Sequence, residues 1–175
     1  RLRSSTGSRR TEAAAAPAVA GDKPLFYKDP QLLNSDRHKR AGIKSANFDF
    51  ARESNSVPLG ANELFAAQFD FPVVFTESNP PQPVAVLGVG GSRNTFIDHD
   101  GKWRADTYVP AYIRRYPFVL ATGIAPGQIH VAIDEAAACF NADGGERLFE
   151  DDGNPSRFTR NAIEFCRAFQ AQLEI

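Results

Sequence analysis

The hydrophobic positions between residues 61 and 134 fall into two similar blocks. The segments 71–75 (FPVVF) and 116–120 (YPFVL) each place an aromatic residue and Pro before three apolar residues, and they lie 45 residues apart. At the same offset, 84–86 corresponds to 129–131, where apolar residues alternate with others as in a half-buried strand. We therefore predict two strands in each block.

Each block also contains a short stretch compatible with a helix, at 62–69 and at 110–115. Pro72 and Pro117 should end these helices, because the residue before a Pro is driven out of the helical region. The pattern thus predicts one helix and two strands in each block, in the same order.

A third strand that ends in an acidic turn is predicted in each block, at 96–101 and at 148–153, with an offset of 52 residues. Two copies are too few for a solenoid, which usually needs at least three. We therefore predict an α+β fold. It would be a single domain from a duplicated helix-strand-strand-strand unit, closed by a C-terminal amphipathic helix.

The longest helix is predicted in the C-terminal segment. Asn154 is a suitable N-cap and Pro155 suits the first helical position. The apolar residues that recur along one face are Phe158, Ala162, Phe165, Cys166, Phe169 and Leu173. We expect this face to pack on the core, and we expect the natural chain to continue, since the pattern still runs at Ile175.

Residues 1–22 contain four Arg, two acidic residues and an alanine run, with few bulky apolar side chains. Such a segment buries too little apolar surface to offset its ordering entropy, so we predict a disordered basic tail and a folded domain at 23–175. Leu25–Tyr27 follow Pro24 as a predicted first strand. The chain lacks Met, so we expect its true N-terminus to lie upstream.

Composition changes this picture little. The 175 residues are 42% hydrophobic with a net charge of -1, which fits a globular domain and gives no general basic field for nucleic acid. No apolar run reaches the ~18 residues of a membrane span, and Cys139 and Cys166 are expected to be reduced, buried thiols. We expect a cytoplasmic protein and leave a periplasmic or surface-associated position open.

No motif predicts a metal site, a cofactor or catalytic residues. The 88–91 segment (GVGG) lacks the third glycine and the helix of a dinucleotide fingerprint, so a glycine-rich turn is favoured. Asp98 and Asp100 begin like a calcium loop, but an Asp-Gly turn explains them better. The polar segment 34–47 is interpreted as a solvated loop, and Asp134–Glu135 either as paired acids or as the solvated end of a strand.

The segment 103–117 combines one Trp, three Tyr and three Arg, which are enriched in interface hot spots and in anion-binding sites. The candidate ligand-binding or partner-binding residues are Trp103, Arg104, Tyr108, Tyr112, Arg114 and Arg115. The alternative is that the aromatic residues belong to the core and that the arginines pair with Asp98, Asp100 and Asp106. Both interpretations stay open at this point.

The same segment is similar to a signature of the SapC family of bacterial proteins. The matching stretches are Gly101–Arg104, Arg114–Leu120, Pro24–Tyr27, Leu33–Ser35 with Arg37–His38, Val57–Leu59, Ile133–Glu135 and Leu148–Phe149. Gly60 departs from the pattern, where a capping Thr or Ser would be expected. The family is named after a gene region concerned with a bacterial surface layer, and the resemblance brings no established catalytic residues.

The resemblance implies a non-enzymatic binding or assembly protein associated with the surface layer or with envelope uptake systems, with an envelope protein as its partner. The alternative is an enzyme acting on a small anionic or aromatic substrate, through Asp98 or Asp134 with Arg114 or Arg115. A third possibility is a structural subunit whose aromatic residues only fill the core. The oligomeric state is left open.

Overall fold

The computed structural model describes residues 24–45, 47–90, 93–121, 130–141 and 144–173. The predicted tail and residues 122–129 of the second block lie outside these ranges. The described strands are β1 (Pro30–Leu32), β2 (Gly42–Ile43), β3 (Ser56–Pro58), β4 (Val73–Phe75), β5 (Pro83–Val86), β6 (Phe118–Ala121), β7 (His130–Asp134) and β8 (Glu146–Arg147). The α-helices are α1 (Ser35–His38), α2 (Leu64–Ala67), α3 (Ala111–Arg114) and α4 (Arg157–Leu173), and 3-10 turns occupy Asp49–Ala51 and Ala61–Glu63.

The described strands form three small antiparallel sheets. Two of them have three strands, in the orders β3-β5-β4 and β1-β7-β6, and the third pairs β2 with β8. In both larger sheets the strand that follows the Pro of a block lies at an edge, and the next strand of the block lies in the centre. The prediction of one mixed α and β domain with a C-terminal helix is confirmed, whereas the duplication stays a prediction.

Two details of the predicted strands are wrong. Residues 25–27 form a turn closed by a hydrogen bond of 3.2 Å from the Tyr27 amide to the Pro24 carbonyl, and the first strand begins only at Pro30. In this turn the Phe26 ring packs against the rings of Phe50 and Tyr112.

The predicted third strands are reduced to single bridges. Ile97 pairs with Trp103, and Phe149 pairs with Pro155. In both places the acidic turn reverses the chain within six residues, and a single residue pair is bridged across it. The two turns nevertheless share one local geometry.

Helix α4 begins later than predicted. Pro155 lies outside it in the bridge with Phe149, and the Ser156 hydroxyl caps the helix by accepting the Thr159 amide at 3.2 Å. The predicted apolar face packs on the core: Cys166 and Phe169 are buried, and the partly buried residues in contact with the core clusters are Phe158, Ala162, Phe165 and Leu173. Through this face α4 contacts β6, β8 and the turn Ala61–Glu63.

Burial of apolar side chains joins the sheets to this helix. One core cluster surrounds the β3-β5-β4 sheet with α3 and Phe169, and a second surrounds β6 and β7 with Leu148, Phe149 and Cys166. Within the described ranges, no helix has both the length and the apolar character needed to cross a bilayer.

Candidate functional site

A cavity of about 620 Å³ lies between α4, the residues that follow β2, and the junction of α3 with β6. This volume is within the range of small-molecule pockets. Most of its lining is apolar or aromatic, including Ile43, Phe48, Phe50, Ile113, Tyr116, Phe118, Phe158, Ala162 and Phe165. The charged residues that line it are Lys44, Arg114, Arg115 and Glu146.

Two neighbouring arginines at the end of α3 contribute to this wall in different ways. Consecutive helical residues point about 100° apart, so they cannot occupy the same environment. Arg114 is exposed, and its guanidinium donates to the Val109 carbonyl at 2.9 Å and to the Tyr108 hydroxyl at 3.0 Å. Its charge also lies over the rings of Tyr108 and Phe165.

Arg115 is buried, with only 7% of its surface exposed. The central carbon of its guanidinium lies 4.0 Å from the centre of the Tyr112 ring, 5.3 Å from that of Phe169 and 5.9 Å from that of Tyr27. These rings supply cation–π attraction and no acceptor in the plane of the guanidinium.

Arg115 has no carboxylate partner among the described residues. Its Nε is buried without a hydrogen bond, and no described Asp or Glu forms an ion pair with the guanidinium. An arginine remains charged in proteins, so burial of an unpaired guanidinium is unfavourable. The lining of the cavity therefore includes a buried arginine whose guanidinium forms no hydrogen bond or ion pair with a described residue.

The two thiols of the chain occupy different positions. Cys139 lines the cavity, Cys166 is buried on α4, and both are free, as expected from the sequence. Burial raises the pKa of the Cys139 thiol, and burial raises the pKa of the Cys166 thiol to about 11, against an opposing effect of Arg115. Both thiols are therefore protonated at neutral pH and are poor nucleophiles.

The aromatic members of the predicted site mostly belong to the core. The Trp103 ring stacks on Phe96 with 5.7 Å between ring centres, and its indole nitrogen donates to the Tyr108 carbonyl at 3.1 Å. Tyr112 is buried and has edge contacts with Phe26 and Phe169. Neither Trp103 nor Tyr112 lines the cavity.

Tyr108 belongs to a separate polar network around Glu63. The Tyr108 hydroxyl donates to Glu63 at 2.8 Å, and the same carboxylate accepts the amides of Ala111 at 2.6 Å and Gly60 at 2.7 Å. Glu63 thus supplies one half of a capping box, the bond from its side chain to the backbone amide of Gly60. The network joins the start of α2 to the start of α3.

The predicted acidic turn is a structural device. The Asp98 carboxylate accepts the amides of Lys102 and Asp100, both at 2.9 Å, and these hydrogen bonds lower the pKa of Asp98. Arg104 lies over the Phe96 ring instead of pairing with this turn. Among the described residues no ion pair joins Arg104, Arg114 or Arg115 to Asp98, Asp100 or Asp106. The alternative of arginines neutralised by these acids is therefore not observed.

Asp134 is fully buried, so the interpretation of 134–135 as the solvated end of a strand is wrong for this residue. Its carboxylate accepts the amides of Asp29 at 2.7 Å, Lys28 at 3.0 Å and Ala136 at 3.2 Å, and the Tyr116 hydroxyl at 3.2 Å. These bonds fix the chain that enters β1 against the end of β7. Burial, followed by the effect of Asp134, raises the pKa of Tyr116.

His38 corrects the interpretation of 34–47 as a solvated loop, because only 1% of the residue is exposed. Its Nε2 lies 2.9 Å from Glu135, whose other carboxylate oxygen accepts Arg37 at 2.6 Å. Sequence reasoning missed this cluster because its members lie about 97 residues apart and no spacing motif marks them. Within the described ranges, no group of three or more His, Cys, Asp and Glu side chains could hold a metal ion.

Comparison with protein families then connects this structure with the resemblance noted in the sequence. The family model described as SapC matches residues 33–175. The chain belongs to the SapC family. Comparison with curated proteins and with solved structures finds no match to this SapC chain. Pro24–Tyr27, which also resembled the family, lies before the SapC match.

The SapC region contains the whole lining of the cavity, from Ile43 to Phe165. Two of the segments that resemble SapC meet in space, since His38 of the first contacts Glu135 of the second. The arginine pair of the SapC signature, Arg114 and Arg115, lies at the cavity. The remaining predicted residues Trp103, Arg104, Tyr108, Tyr112, Asp98 and Asp100 do not line it.

Proposed function

We propose that this SapC family protein is a non-enzymatic binding protein that holds a small molecule in the cavity beside Arg115. The observation that carries the proposal is an aromatic-lined cavity of about 620 Å³ whose lining includes Arg115, a buried arginine without a carboxylate partner among the described residues. Pockets that bind small molecules combine an apolar lining with a few convergent polar groups. The arrangement here has both features.

The positions of the acidic residues favour binding over catalysis. The enzymatic alternative requires Asp98 or Asp134 to act with Arg114 or Arg115. Asp134 does not line the cavity and already accepts four hydrogen bonds, one of them from Tyr116 of the lining, and Asp98 stabilises its own turn. The thiol that lines the cavity, Cys139, has a raised pKa. The enzymatic alternative therefore has less support.

Membership of the family supports the second part of the proposal, a role at the bacterial envelope with a protein partner. A binding protein of this kind would take part in the assembly of the surface layer or in envelope uptake, with the bound molecule as cargo or as signal. Turnover of the recovered ligand by the purified protein would favour the enzymatic alternative.

The duplicated architecture belongs to the same proposal. The order β3-β5-β4 matches the order β1-β7-β6, with α2 and α3 in corresponding places before Pro72 and Pro117. The other edge strands, β3 and β1, lie at different sequence distances from the central strands with which they pair. Only β4, β5, β6 and β7 with their helices follow the repeat. We infer a duplicated helix-strand-strand unit to which β1 and β3 were added separately.

Extraction of small molecules from the protein tests the proposed function. The full chain is purified from its native host and denatured, and the released molecules are identified by mass spectrometry. Ala162→Phe fills the cavity from α4, and Ala171→Phe is the matched control on the exposed side of the same helix. We expect one class of molecule with the wild type and Ala171→Phe, and its loss with Ala162→Phe. Equal recovery from all three proteins would contradict the proposal.

A further inference from the structure

The ligand of the cavity can be specified further, on the basis of the proposed function. We propose that it is a carboxylate with an apolar body, and that its carboxylate binds the guanidinium of Arg115. The inference concerns the chemical class of the ligand and the residue that selects it.

The first argument is the charge of Arg115. Three other arginines of the described chain have carboxylate partners, whereas exposed ones such as Arg114 have none: Arg37 contacts Glu135, Arg52 contacts Asp49, and Arg147 contacts Asp151. Those three are more exposed than Arg115, so they need a partner less. The most buried of these guanidinium groups is therefore one without an anion, and an anionic ligand would supply it.

The second argument is the geometry around this guanidinium. Tyr112, Phe169 and Tyr27 surround it with rings, and none of these contacts uses its N–H donors. A carboxylate offers two oxygens in one plane and can accept two parallel N–H bonds from an arginine. A ligand carboxylate therefore matches the N–H donors of Arg115 that the surrounding rings do not use.

The third argument separates a carboxylate from a phosphate. A phosphate carries close to two charges and is usually held by several donors, among them backbone amides of a long helix N-terminus. Here the buried donor is one guanidinium, while Lys44 and Arg114 are exposed and Glu146 opposes them. A single negative charge fits this balance.

The fourth argument is the rest of the lining. Phe48, Phe50, Phe158, Phe165 and Ile113 line the same cavity as Arg115. These side chains gain free energy when they contact an apolar body in place of water. An acid whose body is aromatic or a medium alkyl chain would use both the cation and the apolar wall.

Calorimetric titration of the full chain tests the inference with pairs of probes that differ only in charge. The acids are 1-naphthoate and decanoate, and the neutral counterparts are 1-naphthamide and decanamide. We expect the acids to bind about 10- to 100-fold more tightly than the amides, as for a hydrogen-bonded charge pair. Arg115→Gln should reduce this ratio to near one, and Arg115→Lys, which keeps the charge, should retain part of it.

The control is Arg167→Gln, an exposed arginine of α4 that does not line the cavity, and it should keep the wild-type ratio. Equal binding of acids and amides, or tighter binding of phenyl phosphate than of 1-naphthoate, would overturn the inference. Failure of every probe to bind would also overturn it. If Ala162→Phe still removes a molecule recovered from the native host, the proposed function survives that failure.

Discussion

Among single residues, two buried carboxylates hold the chain together in the same way. Glu63 and Asp134 both accept backbone amides from distant segments, and each also accepts a tyrosine hydroxyl. Backbone N–H groups at turns and helix starts have no partner within their own element, so a buried carboxylate can satisfy several at once. Both residues therefore serve the fold, although carboxylates in such surroundings can resemble catalytic acids.

We expect Asp134→Asn to lower the free energy of unfolding by about 2–4 kcal/mol. The Asn amide would direct N–H groups at a site where Lys28, Asp29 and Ala136 already donate. Urea denaturation monitored by circular dichroism measures the change. Asp29→Asn, an exposed neighbour, should change stability by less than about 0.5 kcal/mol. Equal effects of the two substitutions would show that the Asp134 contacts do not stabilise the fold.

The buried thiol of Cys166 should make the protein less stable at alkaline pH. A thiol is neutral when protonated, and burial raises the folded-state pKa from an ordinary 9.0 to about 11. The unfolded chain therefore loses this proton first as the pH rises. The stabilisation is complete below pH 9 and disappears as the pH approaches 11, by an amount on the order of 2–3 kcal/mol.

The measurement is the slope of unfolding free energy against pH between 9 and 11, the interval set by the two pKa values. We expect Cys166→Ala to reduce that slope, while Ala171→Ser on the exposed side of α4 leaves it unchanged. Cys139, Tyr27, Tyr108 and Tyr116, whose pKa values are also raised, contribute the slope that remains. An identical slope in Cys166→Ala and the wild type would refute the assignment.

At the scale of elements, the two acidic turns, at 97–103 and at 149–155, have the same local geometry. Each turn is closed by a bridge between two residues that lie six positions apart in the sequence. Each also contains a glycine with positive φ, +78° at Gly101 and +84° at Gly153. They differ in their surroundings. A Cβ on Gly101 would lie 2.5 Å from the Asn47 side chain, whereas a Cβ on Gly153 would meet nothing within 4 Å.

This difference predicts unequal effects of the same substitution. Gly153→Ala should cost about 1–2 kcal/mol, the penalty for a left-handed residue with a Cβ. Gly101→Ala should cost at least ~1 kcal/mol more, because Asn47 and Asp49 must also move. Thermal and urea unfolding of both variants give the comparison. A larger effect at Gly153 would mean that the tertiary contact of the first turn is unimportant.

Among the helices, α4 shows how far periodicity can be trusted. Its apolar spacing predicted the buried face, because a 17-residue helix repeats its packing surface over several turns. The start of the helix was predicted two residues early. Ser156 and the Phe149–Pro155 bridge decide that boundary, and the bridge depends on a pairing outside the helix.

For the whole molecule, the described core begins at the turn that precedes β1. Phe26 packs against Phe50 and Tyr112, and the Tyr27 hydroxyl donates to the Phe118 carbonyl at 2.6 Å. The 24–29 segment is therefore part of the folded unit even though it lies before the SapC match. These contacts extend the folded unit toward the N-terminus beyond the region of family similarity.

Two deletions test that extension of the folded unit. Removal of residues 1–22 should change the free energy of unfolding by less than about 0.5 kcal/mol, because the described core clusters contain none of them. Removal of residues 1–29 should cost more than ~3 kcal/mol, since it takes away the buried rings of Phe26 and Tyr27. A large loss with the shorter deletion would show that the predicted tail contributes to the domain.

The candidate site was only partly predictable. The sequence directed attention to the segment 103–117, and Arg114 and Arg115 do line the cavity. Trp103 and Tyr112 come from the same segment and were predicted for the same reason, but they belong to the core. Residue type indicates which groups can bind a ligand, but a buried aromatic side chain and a ligand-binding one have the same chemistry. Phe48, Phe50 and Cys139 could not be assigned to the cavity because they lie far from that segment in the sequence.

The sequence by itself determined the elements whose signal is local. The period of apolar residues predicted α4 and the strands β4, β5, β6 and β7, and Pro72 and Pro117 follow α2 and α3, which end at Ala67 and Arg114. Only the tertiary structure decided which charged groups are buried and with what partners: Asp134 with four donors, His38 with Glu135, and Arg115 with none among the described residues. Burial and pairing depend on residues about 100 positions apart, whose contacts arise only when the sheets and α4 close around one core.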